Sequence, residues 1–231
     1  MSTEPLDTRV INGRFVGPDA PADAALTIHD GVVVDDPNHD VWRTVNASGH
    51  LVFPGLMQPS PADIESALTA VRAGMTTATS DSATANPCVD VLPETPESIE
   101  VIEPNAVGEL TEEQWDKLLS DAPVHFQAPA GSNFPVVHFL YHEGHVRREM
   151  SLERLVAVTS GNIARASGTF PSKGSFATGA DGDLLVFDPE GDDPYGDRPW
   201  PGRVIFSLLR GAILLYNGQI HTSPGDGKRL G

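Results

Sequence analysis

One stretch near residue 140 carries several side chains that can bind a metal ion or transfer a proton. His138 and His142 lie four positions apart, so a helix would place both on one face, and Glu143 and His145 follow directly. The spacing is not the His-Glu-x-x-His pattern of zinc enzymes, because His142 and His145 are too close and Gly144 intervenes. We interpret the stretch as a helix end with solvated histidines. His138 and His142 are kept as candidates for a ligand pocket, and we predict neither a metal nor a cofactor.

Other reactive groups lack the neighbours that their chemistry needs. Cys88 is the one cysteine, and it lies in a proline-rich stretch without an activating partner near it in sequence. The run GTFPSKGS (168–175) lacks the spacing of a phosphate-binding loop. These motifs therefore indicate neither thiol chemistry nor nucleotide binding.

The composition restricts the class of partner. The chain has 231 residues, with 15 Lys and Arg against 32 Asp and Glu, so its formal net charge is −17. Such a surface repels nucleic acid and anionic membranes, and we expect neither as a partner. The polar N-terminal residues do not resemble a secretory signal, and the longest apolar tract (204–216) is too short to cross a bilayer. We expect a cytoplasmic protein.

Strands are predicted at both ends of the chain. Asn-Gly and Asp-Gly pairs predict hairpin turns at Asn12-Gly13, Asp30-Gly31 and Asn217-Gly218. Further runs rich in β-branched and aliphatic residues predict strands at 40–45, 51–53, 76–80, 122–127 and 184–187. The opening fifty residues are therefore expected to form a small antiparallel sheet.

Helices are predicted in the middle of the chain, over 61–73, 112–120, 135–143 and 152–166. Thr111 and Gln114 have the spacing of a capping box, and Ser151 is placed to cap the last helix. Residues 82–108 show little periodicity and predict a long loop. The fold class is α/β plus all-β.

Four stretches, taken in order, resemble one enzyme family. They are ALTIHDGVVV with ASGHLVFPGLM, RAGMTTATSDS, the run over 139–189 that ends in GADGDLLVFDP, and the C-terminal LLRGAILLYNGQI. Together they are similar to the hydantoinase/dihydropyrimidinase group of the amidohydrolase superfamily. The resemblance implies a metal-bearing (β/α)₈ barrel and a β-sandwich built from both chain ends.

The chain is too short for that whole architecture. A complete barrel takes about 250 residues, and only about half that number lies between the two β regions. We therefore predict a small β-sandwich domain formed by residues 1–55 and 168–231. Residues 56–167 are predicted to form an incomplete (β/α) barrel remnant between its two parts.

The resemblance also implies that the family's metal chemistry is missing. Its first ligands are a His-x-His pair directly after the Pro-Gly strand, where this chain has Gln58, Pro59 and Ser60. Its bridging ligand is a carboxylated lysine, for which none of the three lysines is suitably placed: Lys117, Lys173 and Lys228. Lys173 and Lys228 match positions outside the family's active site.

The stretch SDAPVHF (120–126) bears on the family's catalytic machinery. It resembles the family's S-D-H stretch, whose Asp is a catalytic base, with Ala122 in place of the histidine. Alternatively the segment aligns just beyond that motif, and Asp121 is an ordinary carboxylate at a helix end. Asp121 and His125 are the candidate catalytic residues. The next residues, QAPAG, resemble the family's substrate loop, with Ala130 where an Asn is usual.

Three functions stay open. The first is a catalytically degenerate amidohydrolase homologue that serves as a structural or regulatory subunit, in a homo-oligomer or with a full-length amidohydrolase. The second is a metal-independent or altered enzyme that acts on the C–N bond of a cyclic amide, imide or ureide through Asp121 or a histidine. The third is a protein that senses a ureide-like ligand. The chain lacks the family's metal ligands but keeps its β motifs, and this combination favours the first function.

Overall fold

The computed structural model describes residues 6–59, 68, 70–79, 89–92, 96–105, 108–129, 132, 134–192, 200–222, 226–228 and 230. Within them the strands are β1 (Thr8–Ile11), β2 (Arg14–Phe15), β3 (Ala25–His29), β4 (Val32–Val34), β5 (Arg43–Asn46), β6 (Leu51–Pro54), β7 (Leu56–Pro59), β8 (Met75–Thr79), β9 (Asp90–Leu92), β10 (Glu100–Ile102), β11 (Val124–Phe126), β12 (Leu184–Asp188), β13 (Arg203–Leu209), β14 (Ala212–Tyr216) and β15 (Gln219–Ile220).

The helices lie in the middle of the chain. They are α1 (Glu112–Leu119), α2 (Val136–Phe139), α3 (Leu152–Val156) and α4 (Asn162–Ala166), with π-helical segments at Leu140–Val146 and Ala157–Gly161. Residues 68 and 70–72 are also helical, and the rest of the helix predicted over 61–73 lies outside the described residues. No helix in the described part of the chain has the length and apolarity to cross a membrane.

Strands from both ends of the chain form two sheets that share a core. One sheet has the order β4-β3-β1-β5, and the other has the order β15-β14-β13-β12-β6-β2. Apolar side chains from both sheets form one cluster, which includes Val10 and Ile28 from the first sheet and Val186 and Leu208 from the second. The alternation of side chains along a strand explains why these residues meet on one face.

The opposite face of the six-stranded sheet packs against the helical part. Phe53, Leu185 and Phe187 belong to the largest core cluster, together with Phe139 of α2 and Leu155 of α3. Strand β12 is thus buried on both faces, as its nearly unbroken apolar run LLVF requires. The six-stranded sheet is the layer that joins the two parts of the protein.

The middle of the chain contributes short parallel sheets. Strands β7, β8 and β9 pair in that order, and β10 pairs with β11. Every residue of β8 and β9 is buried, because α4 covers Met57 and Leu92 while the main core covers the other face. Among the described strands no sheet closes into a ring.

The hairpin predicted at Asn12-Gly13 is wrong. Asn12 does adopt a left-handed φ of 61°, but β1 pairs with β3 and β5, whereas β2 pairs with β6 in the other sheet. A turn signal fixes only the local backbone, and burial of both strands decides the pairing. The chain therefore crosses between the sheets here, and the first fifty residues do not form one antiparallel sheet. Hairpins at Asp30-Gly31 and Asn217-Gly218 are confirmed.

The loop predicted over 82–108 is also wrong in part, because it contains β9 and β10. These strands are three residues each, too short for a periodic pattern to show. The outer edge of β9 pairs with the C-terminal tail: Val91 N donates to Lys228 O at 2.8 Å and Leu230 N to Val91 O at 2.9 Å. The tail thus protects an edge that would otherwise be open.

Candidate functional site

Gln58 joins the C-terminal ends of β7 and β11, the edge at which α/β barrels carry their chemistry. Its side chain is buried, and Nε2 donates to Met57 O at 2.8 Å and to Phe126 O at 3.3 Å. Its Oε1 accepts the N–H of Ala128 at 2.9 Å. Both ends of the amide are therefore engaged with main chain. A metal ion could take this oxygen only by leaving the Ala128 N–H without its acceptor.

His125 is enclosed in the middle of β11. Its side chain is fully buried, and Nδ1 donates to Val158 O of the second π-helical segment at 2.9 Å, whereas Nε2 has no hydrogen-bond partner. Burial lowers the pKa of His125 to about 4, although the bond to Val158 favours the charged form. The ring is consequently neutral near pH 7 and has the Nδ1–H tautomer.

Asp121 lies elsewhere, exposed just after the end of α1. That helix end is held by Arg154, which donates to the carbonyl groups of Lys117, Leu118 and Ala122 at 2.8–2.9 Å. Asp121 therefore occupies the position of a helix-end carboxylate, and His125 a buried strand position. Their catalytic roles stay predictions.

His138 and His142 have different surroundings. His138 is buried with its ring edge-on to Phe187 at a centroid distance of 5.1 Å, whereas His142 Nε2 donates to Pro201 O at 2.8 Å. The π-helical segment begins at Leu140, between the two histidines, and π-type bonding changes the angle between successive side chains. Among the described residues, no group with metal-ligand geometry contains either histidine.

Lys173 is the centre of a buried ion cluster that the sequence analysis did not predict. Its Nζ lies 2.6 Å from Asp90 Oδ2, 2.8 Å from Asp181 Oδ2 and 2.5 Å from Asp183 Oδ2. Arg210 also pairs with Asp90. The Nζ atom of Lys228, which is partly exposed, lies 3.4 Å from Asp181 Oδ2. Three cations thus face three carboxylates.

The protonation states in the cluster follow from burial and charge. Burial opposes the charged ammonium, but the three carboxylates raise the pKa of Lys173 well above its ordinary value. Burial likewise works against a charged Asp90, yet Lys173 and Arg210 hold its pKa below the usual range. The pKa of Asp183 is raised, chiefly because this carboxyl is completely enclosed. Lys173 is therefore charged at neutral pH.

The position of the cluster indicates a structural role. Asp90 begins β9, and Asp183 directly precedes β12 while its carbonyl accepts the N–H of Gly55, between β6 and β7. The cluster therefore lies at the N-terminal ends of the parallel strands, the face that in barrels serves stability and not catalysis. It fastens the parallel sheet to the six-stranded sheet.

A third group, Asp7, His29 and His39, gathers on the four-stranded sheet. Asp7 precedes β1, His29 ends β3, and His39 lies in the loop between β4 and β5. Both imidazoles bond Asp7 Oδ2 at 3.0 Å. These bonds, that from His39 foremost, lower the pKa of Asp7 to about 2, and the bond to Asp7 raises the pKa of His29. The spacing in sequence carries no motif, because the pairing of β1 with β3 and the position of the β4–β5 loop bring the residues together.

The metal pair implied by the resemblance does not fit these residues. Among the described residues, groups with metal-ligand geometry are Asp7 with His29 and His39, and Asp90 with Asp181 and Asp183. The second group is filled by the ammonium of Lys173, and neither lies at the C-terminal ends of β7 and β11. At that edge the structure has Gln58, whose amide is used by main chain. No step of a metal-assisted hydrolysis can be derived from this edge.

Comparison with known proteins gives partial sequence matches to cyclic amide hydrolases, among others. No protein-family model matches the chain. The D-hydantoinase of Geobacillus stearothermophilus is 30% identical over 106 residues, which are 40% of this chain and 22% of that enzyme. The allantoinase of Rubrobacter xylanophilus is 33% identical over 99 residues, 37% of this chain and 22% of the enzyme. The present chain is thus about half as long as these proteins.

Solved structures agree on the fold. The dihydropyrimidinase of Brevibacillus agri superposes with a TM-score of 0.66 at 13% identity, covering 97% of this chain and 98% of that one. The L-hydantoinase of Arthrobacter aurescens gives a TM-score of 0.69 at 13% identity, covering 97% and 99%. Part of this chain is thus similar in sequence to a hydantoinase and an allantoinase, and its fold is similar to that of solved hydantoinases and dihydropyrimidinases.

Proposed function

We propose that this chain is a non-catalytic homologue of the cyclic amide hydrolases, which keeps their β scaffold as a structural or regulatory subunit. The observation that carries the proposal is Gln58. At the strand end where the resemblance would place the first metal ligands, its amide bonds Phe126 O and Ala128 N and joins β7 to the segment after β11. The side chain at this position therefore connects two strands through hydrogen bonds.

The candidate general acid–base residues support the same reading. His125 is fully buried with a pKa of about 4 and a single bond to Val158 O, so it lacks access to a substrate and is a weak base. Asp121 lies in solvent at a helix end. A catalytic group must reach the proton that it transfers, and the burial of His125 works against such a role.

A ring-opening assay tests the proposal. The purified chain, with and without added Zn²⁺ or Mn²⁺, is incubated with hydantoin, dihydrouracil and allantoin, and ring opening is followed by chromatography. We expect no product above a protein-free control, while a full-length hydantoinase run in parallel gives turnover. Chelator-sensitive turnover by the chain would overturn the proposal. Metal-independent turnover that is lost in Asp121→Asn or His125→Asn would establish the altered-enzyme alternative in its place.

We further propose that the chain acts in an oligomer, either with itself or with a full-length amidohydrolase. Support comes from the parallel strands, which among the described residues form sheets of three and two strands that do not close. The tail covers the edge of β9, and an edge that stays unpaired favours pairing with another chain. Light scattering of the purified chain, alone and mixed with a full-length hydantoinase, should give a mass above one chain in at least one sample. A monomer in both would overturn the proposal.

We also propose a cytoplasmic location. Cys88 is the one cysteine, so the chain cannot form an internal disulfide of the kind that oxidising compartments favour.

A further inference from the structure

The Asp7, His29 and His39 group has the donor set of a transition-metal site. His29 Nδ1 and His39 Nε2 each lie 3.0 Å from Asp7 Oδ2, and the ligand atoms that the three residues offer lie within 4.8 Å of one another. The side chains are 41%, 23% and 19% exposed for His29, His39 and Asp7, so an ion could enter from solvent. Two imidazoles and one carboxylate suit Zn²⁺ and its first-row neighbours, and not Mg²⁺ or Ca²⁺.

A second, independent feature is the environment of the opposite ring nitrogens. His29 Nε2 lies 3.4 Å from Asp30 Oδ2, and His39 Nδ1 lies 3.9 Å from Asp36 Oδ2. In metal sites the ligating histidine commonly gives its other N–H to a carboxylate, which fixes the tautomer and strengthens the ligand. Each histidine here therefore has one nitrogen towards the shared Asp7 oxygen and one towards a carboxylate of its own.

The backbone holds this arrangement in place. Asp7 O accepts the N–H groups of Trp42 and Arg43 at 3.0 and 3.2 Å, and Asp7 Oδ1 accepts that of Asp30 at 3.2 Å. Arg9 Nη2 donates to His39 O at 2.7 Å and so anchors the loop that carries His39. Asp7, the oxygen donor, is thus fixed at both its main chain and its side chain.

The distances match the size of an ion such as Zn²⁺. In the structure each facing N–H donates to Asp7 Oδ2 across 3.0 Å. Tetrahedral Zn²⁺, with Zn–N and Zn–O bonds of about 2.0–2.2 Å, separates its ligand atoms by about 3.4 Å. Each of the two N···O distances would reach this value by widening about 0.4 Å, and the two nitrogens already lie within 4.8 Å of each other.

The local charge favours a cation. Asp7, Asp30 and Asp36 supply three carboxylates, and the nearby cation Arg9 is engaged elsewhere, with its Nε donating to Thr27 Oγ1. From these distances and charges we propose that Asp7, His29 and His39 bind one divalent first-row transition metal ion, best represented by Zn²⁺. This site lies on the four-stranded sheet, and β7 and β11 with the Gln58 edge belong to other sheets.

The experiment measures binding and not activity, so its outcome is separate from that of the ring-opening assay. Zn²⁺ is titrated into the intact chain in competition with a chromophoric chelator, and Co²⁺ is titrated while its visible absorption is recorded. We expect one ion per chain and a tetrahedral Co²⁺ spectrum. The substitutions His29→Gln, His39→Gln and Asp7→Asn should each weaken Zn²⁺ binding at least 100-fold, and Asp30→Asn about 10-fold.

The matched control is His50→Gln, because His50 also faces a carboxylate, Asp188 at 3.9 Å, but among the described residues it belongs to no group with metal-ligand geometry. Its Zn²⁺ affinity should equal that of the unchanged chain. If a ligand variant fails to fold, X-ray absorption of the Zn²⁺-loaded unchanged chain decides, with two imidazoles and one carboxylate expected in the coordination shell. Failure of the unchanged chain to retain Zn²⁺, or equal weakening by His50→Gln and His29→Gln, would overturn the proposal.

Discussion

The ammonium nitrogen of Lys173 lies 2.6 Å from Oδ2 of Asp90, although 83 residues separate the two in sequence. Lys173 follows α4, and Asp90 begins a strand in the middle of the chain. The bond therefore connects the end of the helical segment to the parallel sheet. Because Asp181 and Asp183 share the same ammonium, one side chain neutralises groups from two separate segments.

Replacement of Lys173 by Met is expected to lower the free energy of unfolding by about 3–5 kcal/mol, because it removes the central cation and leaves Arg210 and the half-exposed Lys228 to face three clustered carboxylates. Urea denaturation followed by circular dichroism measures the change. The control is Lys228→Met: its ammonium is half-exposed and 3.4 Å from Asp181, so the loss should stay below about 1 kcal/mol. Equal losses in the two variants would contradict a special role for Lys173.

The substitution Gln58→Leu tests the hydrogen bonds by which Gln58 connects β7 to the end of β11. The apolar side chain has a similar size but leaves the Ala128 N–H and the Phe126 carbonyl without their partner, so we expect a loss of about 1–3 kcal/mol. Gln127→Leu is the matched control, since Gln127 bonds Glu103 at the exposed surface and should cost less than about 0.5 kcal/mol. A Gln58→Leu variant as stable as the unchanged chain would remove the evidence that Gln58 is structural.

The sequence predicted features that depend on neighbours along the chain. The Thr111–Gln114 capping box is confirmed, with Thr111 Oγ1 accepting from Gln114 N at 3.2 Å and Gln114 Oε1 accepting from Thr111 N at 2.9 Å. The β3–β4 hairpin is confirmed for the same reason. Such signals act within a few residues and need no knowledge of the tertiary fold.

Features that depend on distant partners could not be predicted in this way. The motif around Lys173 was recognised, but its burial depends on Asp90, and nothing near Asp90 in sequence marks it as a partner. The absence of a histidine at Gln58 was apparent, whereas its structural use required knowing that β11 ends beside β7. Asp7 and His29 likewise meet because β1 pairs with β3, and His39 joins them from the loop between β4 and β5, which Arg9 holds.

Gly55 tests the junction between the six-stranded sheet and the parallel sheet. A Cβ atom at this position would lie 2.0 Å from Thr76 Oγ1 and 2.8 Å from Thr76 Cβ, so Gly55→Ala should cost about 2–3 kcal/mol through overpacking. In a Thr76→Ala background the hydroxyl and methyl groups are gone, and the same substitution should cost about 1 kcal/mol less. Denaturation of the two single variants and the double variant measures this coupling. Strict additivity would show that the strain lies elsewhere.

The last prediction concerns acid sensitivity through His125. Its pKa is about 4 in the folded protein against an ordinary 6.5, so below pH 6.5 the unfolded chain binds a proton that the folded chain refuses. Stability should therefore fall as the pH drops from about 6.5 to about 4, by roughly 3 kcal/mol, and this contribution should level off below pH 4. Above pH 6.5 His125 adds no pH dependence.

His125→Asn isolates this contribution, because the amide can still donate to Val158 O but does not titrate. The variant loses packing at every pH, so the informative quantity is the difference between the two unfolding free energies as a function of pH. That difference should shrink by roughly 3 kcal/mol between pH 7 and pH 4, since only the unchanged chain is destabilised by acid through this group. Groups common to both proteins, such as His29 and Asp7, cancel in the comparison. A difference that stays constant over this range would mean that His125 reaches solvent and a proton in the folded state, which would restore it as a candidate acid–base residue.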